Sequence, residues 1–364
     1  MNSRDRIRTA LDHREPDRVP LDLGGLSVTG IHASAYARLR QALGLPYRPP
    51  KVIDPFLMLA EVEDDVRDVL GIDTVALRLP KTRFGFRNEA WKPWRLPDGT
   101  DVQVPGGFNP TRDENGDWLL HPQGDPALPA SARMPRDGYY FDAIVRQRPL
   151  EEDPLDPQQW VREMFSVLSD EDLRYLEAEA TRLRNESDRA ILTNLPAGAI
   201  GDISYVPGTH LVQPSGIRDP MEWIIAHRSR PEYLQAIFAA QCELAMKNLE
   251  LLAQAVGNKV DVLYVSGTDF GTQDRALISP ATWIHRHTTW KAFYHSCGSL
   301  LDLLDDMVAT GVDALNPVQC SAKGMEPSYL KERYGRSITF WGGGVDTQHT
   351  LPFGTPEEVY AQVR

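Results

Sequence analysis

The stretch KAFYHSCGSLLDLLDDMVATGVDALNPVQC, residues 291–320, places two short apolar runs on either side of a segment with helical character. The runs KAFYHSCG (291–298) and DALNPVQC (313–320) each have the length of one strand, and LLDLLDDMVATG (300–311) between them predicts a helix. A strand, a helix and a second strand in this order predict two parallel strands joined by a crossover. The stretch therefore predicts an α/β fold.

The same alternation extends along most of the chain. The candidate strands are VPLDLGG (19–25), DTVALRL (73–79), RAILTNLP (189–196), VDVLYVSG (260–267), KAFYHSCG (291–298), DALNPVQC (313–320) and SITFWGGG (337–344). The predicted helices include 3–12, 54–70, 169–187, 231–257, 300–311 and 327–335. Eight strand–helix units close a (β/α)8 TIM barrel. Seven candidates predict a TIM barrel that lacks its last strand and helix, with a short crossover near 280–290.

An incomplete barrel has consequences for its edges. A gap between the first and seventh strands would leave backbone groups unpaired, and unpaired edges invite pairing with other segments. We therefore expect the N-terminal segment or a partner chain to cover them, and a homodimer is one such assembly.

Residues 80–140 differ from the rest of the chain because Pro, Gly and aromatic residues dominate them. Asp98-Gly99 and Asn115-Gly116 lie between short apolar runs, which is typical of β-hairpins. The segment predicts an antiparallel β insertion within a single domain spanning residues 1–364. A separate domain is the alternative that the sequence leaves open.

Charge and cysteine content narrow the class of protein. The chain has 364 residues and a formal net charge of −12, which argues against nucleic acid as a partner because phosphate binding needs clustered Lys and Arg. No apolar run reaches the roughly 18 residues of a membrane span, and the charged N-terminus lacks an apolar signal core. We therefore expect a cytoplasmic protein that does not cross a membrane. Its three cysteines are too few for a disulfide framework.

Polar residues follow most of the predicted strands, where parallel α/β proteins place their active sites. We predict a substrate-binding role for Asp22, Asn194, Asn316, Gln319 and Gln348. Asp269 and Asp346 each follow a strand within a Gly-containing loop. A catalytic role, in orienting substrate or relaying protons, is predicted for both, and capping of the loop by an Asx-turn is the alternative.

The most specific pattern is formed by His295 and Cys297, which are two residues apart on one strand and so project from the same face. Cys320 ends the next predicted strand, about 4.8 Å away. Three protein ligands with a fourth position open are the pattern of catalytic zinc. We predict a Zn²⁺ site at these three residues, with His295 also catalytic. The alternative is that both cysteines are small buried hydrophobes and that His295 bonds a backbone carbonyl.

Several stretches resemble the uroporphyrinogen decarboxylase superfamily, in particular its branch of corrinoid-linked methyltransferase-like proteins. They are SRDRIRTALDHREPDRVPLDLGG (3–25), RMPRDGYYFD (133–142), GTDFGTQDRALISP (267–280), KAFYHSCGSLLDLLDDMVATGVDALNPVQCSAKGMEP (291–327) and FWGGGVDTQHTLPFGTPEEV (340–359). The resemblance covers nearly the whole chain and implies a (β/α)8 barrel. The branch uses a zinc held by a His-x-Cys pair, which His295 and Cys297 match, and a further Cys. In several relatives that Cys lies nearer the C-terminus than Cys320.

The resemblance also implies an activity. It is methyl transfer between a corrinoid carried by a partner protein and a small methyl donor or acceptor. The decarboxylases proper carry an N-terminal Arg-rich motif that grips the substrate carboxylates, and VPLDLGG (19–25) and DTVALRLP (73–80) do not match the superfamily's substrate motifs. This argues against porphyrinogen as the substrate. Two alternatives are a metal-free decarboxylase of a tetrapyrrole or smaller acid, and a non-catalytic corrinoid or tetrapyrrole binder.

Overall fold

A computed structural model describes residues 1–150, 155–266 and 280–363. Its strands are β1 (Val52–Asp54), β2 (Leu59–Ala60), β3 (Thr74–Leu77), β4 (Lys92–Arg95), β5 (Asp101–Val104), β6 (Thr111–Arg112), β7 (Trp118–Leu120), β8 (Ala132–Met134), β9 (Asp142–Ala143), β10 (Ala190–Asn194), β11 (Val262–Ser266), β12 (Lys291–His295), β13 (Ala314–Asn316) and β14 (Thr339–Phe340). Its helices are α1 (Ser3–Leu11), α2 (Ala33–Ala42), α3 (Asp64–Leu70), α4 (Pro157–Met164), α5 (Asp170–Glu186), α6 (Pro220–Ser229), α7 (Pro231–Val256), α8 (Pro280–His287), α9 (Leu304–Thr310), α10 (Pro327–Tyr334), α11 (Thr350–Phe353) and α12 (Pro356–Val363).

Six strands form one parallel sheet in the order β14-β13-β12-β11-β10-β3. Each of the six lies within a strand predicted from the sequence, so the prediction of a parallel α/β sheet is confirmed. The register places Ser266 beside His295, and His295 beside Asn316. The carboxyl ends of β11, β12 and β13 therefore meet at one edge of the sheet.

Helices cover both faces of this sheet. On the outer face, α5, α7 and α8 pack on the strands in a cluster that includes Leu176, Leu249, Ile284, Val75, Leu263 and Ala292. On the opposite face, called the inner face below, α1 contributes to a cluster that includes Ile7, Leu11, Leu192, Val262, Phe293 and Ala314. Burial on both faces explains why β10 and β11 lie in nearly continuous apolar runs.

The two long helices on the outer face have clear sequence boundaries. Ser169 caps α5, since its hydroxyl oxygen accepts the Asp172 N–H at 3.2 Å. Pro231 opens α7 at a position where its missing N–H costs nothing, and Gly257 ends it. None of the helices in the described part of the chain combines the length and apolar composition needed to cross a membrane.

The first predicted strand, VPLDLGG (19–25), is not a strand. Pro20 has no N–H to donate and Gly24 takes a positive φ of 75°, so the segment cannot continue a ladder. It nevertheless lies between the two edge strands of the sheet. Next to β3, the N–H of Asp73 donates to the Leu21 carbonyl at 2.8 Å. Next to β14, Trp341 Nε1–H donates to Asp22 Oδ2 at 3.1 Å, while Thr74 Oγ1–H donates to Asp22 Oδ1.

The described strands therefore do not close a barrel. The sheet is compatible with an incomplete (β/α)8 barrel whose edges are β3 and β14. The carboxylate of Asp22 joins these edges by side-chain hydrogen bonds, and we call this junction the seam. The predicted gap exists, but β3 rather than the segment 19–25 forms one side of it.

The antiparallel β structure predicted for 80–140 is present, while its place as an insertion within a single domain stays a prediction. This β structure consists of the hairpin β4–β5 and the antiparallel sheet β6–β7–β8–β9. Gly99 and Gly116 take positive φ values of 88° and 82° in the predicted turns. The insertion shares one apolar cluster with α2, β1 and β2, which includes Tyr36, Val52, Met58, Phe84, Val104, Phe108, Leu120 and Phe141.

The helix predicted over 54–70 is wrong in its first half. The chain there forms the antiparallel pair β1–β2, and α3 begins only at Asp64. Apolar residues of this region pack against the insertion, so tertiary contacts override the helical spacing. Helix α2 was not predicted at all.

Candidate functional site

Polar side chains end four neighbouring strands on the inner face of the parallel sheet. Leu192 of β10 and Phe293 of β12 face inward, and side chains two positions later on a strand face the same way. Asn194 and His295 therefore face inward as well. Asn316 follows the inward Ala314 of β13 by the same rule, and Ser266 ends β11 beside His295.

Asn316 fixes the orientation of the His295 ring. The two side chains meet at 2.7 Å, between His295 Nδ1 and Asn316 Oδ1. Asn316 Nδ2 donates to the Trp341 carbonyl at 2.9 Å, which leaves the amide oxygen facing the imidazole. An oxygen acceptor places the proton on Nδ1, so the lone pair of His295 lies on Nε2. This is the arrangement in which a histidine presents Nε2 as a ligand or base.

Cys297 lies directly in front of that lone pair. Its Sγ is 3.7 Å from His295 Nε2, and its side chain is exposed. Partial burial raises the pKa of the Cys297 thiol, and the carboxylate of Asp202 raises it further. The unliganded thiol is therefore protonated at neutral pH.

Cys320 lies at the end of the next strand but is engaged elsewhere. Its Sγ–H points to the carbonyl oxygens of Gly343, at 3.3 Å, and Val318, at 3.5 Å. Burial raises the pKa of the Cys320 thiol, and Asp346 adds to the rise. Within residues 1–150, 155–266 and 280–363, no three His, Cys, Asp or Glu side chains lie close enough to hold one metal ion. The structure thus brings together His295 and Cys297 of the predicted zinc site, without Cys320.

Gln319 supports the loop that carries Cys297. Its Oε1 accepts the backbone N–H of Gly298 at 3.0 Å. The sequence predicted substrate binding for Gln319 and Asn316, but in this structure both side chains hold the His295–Cys297 pair in place. A substrate-binding role for them stays a prediction.

Asp202, Ser266 and Tyr264 belong to the site but were not predicted. Ser266 Oγ–H donates to Asp202 Oδ2 at 2.8 Å, and Asp202 Oδ1 accepts the Ser204 N–H at 2.9 Å. The Tyr264 ring lies 6.2 Å from the His295 ring, and burial raises the Tyr264 pKa. Asp202 follows β10 in the Gly-containing loop GAIGDISYVPGTH (198–210), so the strand-end rule applied to that whole loop would have found it.

Asp346 acts mainly on its own loop. Its Oδ1 accepts the N–H groups of Gln348, at 2.8 Å, and His349, at 3.2 Å. The Gln348 N–H lowers the pKa of the Asp346 carboxyl, so Asp346 is ionised at neutral pH. This is the loop-capping alternative, and Gln348 itself is exposed. Catalysis by Asp346 and substrate binding by Gln348 stay predictions.

The remaining predicted residues occupy three different situations. The two carboxyl oxygens of Asp22 accept the hydrogen bonds from Thr74 and Trp341 that form the seam, and burial raises the Asp22 pKa. Asn194 ends β10 with its Oδ1 buried and without a hydrogen-bond partner in the described structure. Asp269 lies outside the described residues.

The insertion fastens onto the loop that carries Asp202. Arg83 donates to the Ser204 carbonyl at 2.8 Å, and its Cζ lies 4.2 Å from the centre of the Tyr205 ring and 4.7 Å from that of the Phe56 ring. Thr209 Oγ1–H donates back to the Arg83 carbonyl at 2.9 Å. The insertion therefore positions one wall of the site.

The fold and this site define an α/β protein with a polar centre at the carboxyl ends of parallel strands. No family model matches the chain, and a search of curated proteins finds no match. Among solved structures the chain is similar to a methyltransferase from Methanosarcina mazei, at 13% sequence identity and a TM-score of 0.44, covering 100% of this chain and 97% of that one. Similarity at this level does not establish a family, so the superfamily resemblance stays a prediction.

Proposed function

We propose that the chain is a methyltransferase that binds zinc through His295, Cys297 and Cys320. It would move a methyl group between a corrinoid, carried by a partner protein, and a small methyl donor or acceptor. The proposal combines the sequence resemblance with the geometry of His295 and Cys297. Zinc in such a site keeps a bound thiol ionised at neutral pH, or polarises the group from which methyl departs.

One observation carries the metal part of this proposal, namely the separation of the two donor atoms. Zn–S and Zn–N bonds of about 2.3 and 2.0–2.1 Å at a tetrahedral angle place sulfur and nitrogen about 3.6 Å apart. Cys297 Sγ and His295 Nε2 are 3.7 Å apart. Because Nδ1–H donates to Asn316, the lone pair of the His295 ring is on Nε2, where it can bind a metal ion. His295 and Cys297 would therefore both be able to hold one zinc ion without a change in their separation.

Cys320 has suitable donor chemistry but a different side-chain direction. Its use as a ligand requires Sγ to leave the Gly343 and Val318 carbonyls, and a thiol is a weak hydrogen-bond donor. Both cysteines must also lose a proton, and the pKa of each thiol is raised in this structure. Metal affinity should therefore increase with pH over the range in which the thiols ionise.

The protein's own groups around the pair have separable tasks. Asn316 holds the ring, and Gln319 holds the loop of Cys297. The Ser266–Asp202 pair keeps a carboxylate near Cys297. Asn194 offers a buried oxygen acceptor that a substrate donor can satisfy, because leaving such a group unpaired costs about 1–3 kcal/mol.

The test measures zinc and methyl transfer on the same preparations. Metal content is determined by elemental analysis of purified protein, and methyl transfer is assayed from methylcobalamin to a small thiol. We expect close to one zinc per chain in the wild type, and loss of both zinc and activity in Cys297→Ser. Cys242→Ser is the matched control, because Cys242 lies in α7, away from the site.

Two results would contradict the proposal. One is a wild-type protein that binds no zinc even after incubation with the metal. The other is equal zinc content in Cys297→Ser and Cys242→Ser. If methyl transfer continues after zinc is lost, the methyltransferase part of the proposal stands and the zinc part is rejected.

A further inference from the structure

Three arginines surround one carboxylate at the amino ends of β11 and β12, on the opposite edge of the sheet from His295. The carboxylate is Asp261, whose side chain is 1% exposed. Arg8 Nη2 lies 2.6 Å from its Oδ1, while Arg184 Nη1 and Arg4 Nε lie 3.4 and 3.6 Å from its Oδ2. Arg8 and Arg4 come from α1, and Arg184 comes from the last turn of α5.

The positive charge here exceeds what the carboxylate can balance. Asp261 Oδ2 is shared further, since it accepts the Ile191 N–H at 2.9 Å. Burial lowers the Arg4 pKa, and repulsion from Arg184 and Arg8 lowers it further, which outweighs the attraction of Asp261. Three guanidinium groups thus share the one buried carboxylate of Asp261, and Asp188 adds a further attraction for Arg4.

A cavity of about 360 Å³ opens beside this cluster. Its lining consists of Arg8, Asp12, Arg184, Asn258, Asp261, Thr289 and Lys291. Lys291 also lines the cavity, and two carboxylates hold its ammonium group, Asp12 at 3.0 Å and Asp313 at 3.3 Å. The Arg8 side chain is 40% exposed, so its guanidinium is only partly used by Asp261. The volume lies at the small end of the range for small-molecule sites, roughly 300–1,000 Å³.

We propose that this cavity binds a phosphate group, either as free phosphate or as the phosphate of a small ester. Guanidinium groups offer planar pairs of N–H donors that match phosphate oxygens, and Arg8 and Arg184 supply them from two sides. Asn258 and Thr289 add neutral polar groups to the lining. A bound dianion offsets the repulsion among the arginines. The proposal does not depend on the function of the His295 site.

The test is a calorimetric titration of the full chain with inorganic phosphate and with ribose 5-phosphate, at constant ionic strength set with chloride. Asn258→Asp adds a carboxylate to the lining without removing a partner of Asp261, and Asn258 is exposed. We expect phosphate to bind the wild type, and Asn258→Asp to weaken binding about tenfold or more, since a like charge lies within a few ångströms of the ligand. Asn115→Asp makes the same charge change in an exposed turn of the insertion and should bind as the wild type does.

Thr289→Glu tests the same point at the neighbouring lining position, since Thr289 Oγ1 lies 3.4 Å from Asn258 Oδ1, in case Asn258→Asp does not fold. Tighter binding of ribose 5-phosphate than of phosphate identifies an ester as the ligand, and the reverse identifies the free ion. The proposal is overturned if neither compound binds at millimolar concentration. It is also overturned if the cavity variants bind as tightly as Asn115→Asp.

Discussion

Replacing Asp73 with Asn removes a buried charge that holds the N-terminal segment against the sheet. The Asp73 side chain is fully buried. Its oxygens accept hydrogen bonds from Arg6 at 2.6 Å, from Arg18 at 2.8 and 3.0 Å, and from the Leu21 N–H at 2.9 Å. Asparagine has the same shape but leaves Arg6, whose side chain is 9% exposed, facing a neutral amide.

The expected loss follows from how much of this network survives. Breaking a buried ion pair costs about 3–5 kcal/mol. Arg6 keeps Asp17 as a second partner, with contacts at 2.6 and 2.8 Å, so we expect the lower end, about 3 kcal/mol. Because the net stability of a domain is about 5–15 kcal/mol, this loss is easily measured.

The assay is equilibrium unfolding in urea, in which Asp73→Asn should lower the midpoint without changing the slope. Asp17→Asn is the matched control, because Asp17 contacts the same Arg6 guanidinium from a more exposed position. Solvent screens that pair, so its loss should lower the midpoint much less. Equal midpoints for the two variants would refute the reasoning from burial.

Three further predictions concern the site. Asn316→Ala removes the acceptor of His295 Nδ1–H, and zinc affinity measured by chelator competition should fall about 10–100-fold; an unchanged affinity would show that Asn316 does not orient the ring. Asp202→Asn removes a charge that raises the Cys297 pKa, so that pKa should fall. Alkylation of Cys297 at neutral pH, followed by mass spectrometry, should then be faster, while alkylation of Cys320 should keep its rate. Slower alkylation of Cys297 would contradict this. Because the Arg-rich motif of the decarboxylases is absent, uroporphyrinogen should give no coproporphyrinogen above background, and turnover near 1 s⁻¹ or more would refute this.

The parallel sheet could be predicted because each of its strands carries its own signal. Ala190–Asn194 and Val262–Ser266 are mainly apolar strands that contribute buried residues to the clusters on both faces of the sheet. The strand predicted over 19–25 is wrong for a physical reason. Its apolar residues suggest a strand, but Pro20 and Gly24 prevent a ladder and Asp22 bonds through its side chain instead.

The site could be predicted in part. The two-residue spacing of His295 and Cys297 places their side chains together, because both lie on one strand or just beyond it. The direction of the Cys320 side chain depends on Gly343, whose positive φ of 85° brings its loop against that thiol. Asp202 reaches Ser266 across 64 residues of chain, and no local pattern encodes that contact.

The two edge strands at the seam, β3 and β14, are held by fewer backbone hydrogen bonds than the strands inside the sheet. Several backbone hydrogen bonds join two neighbouring strands of a ladder, whereas β14 is joined to the segment 19–25 by the side-chain bond from Trp341 to Asp22, and β3 is joined to it by the bond from Thr74 to Asp22 and by the bonds between Asp73 and Leu21. Amide protons of β3 and β14 should therefore exchange with heavy water before those of β11 and β12, which have a strand on each side. His295 stands on β12, two strands from one margin of the sheet and three from the other. We therefore expect the amide protons around His295 to be among the last of the sheet to exchange.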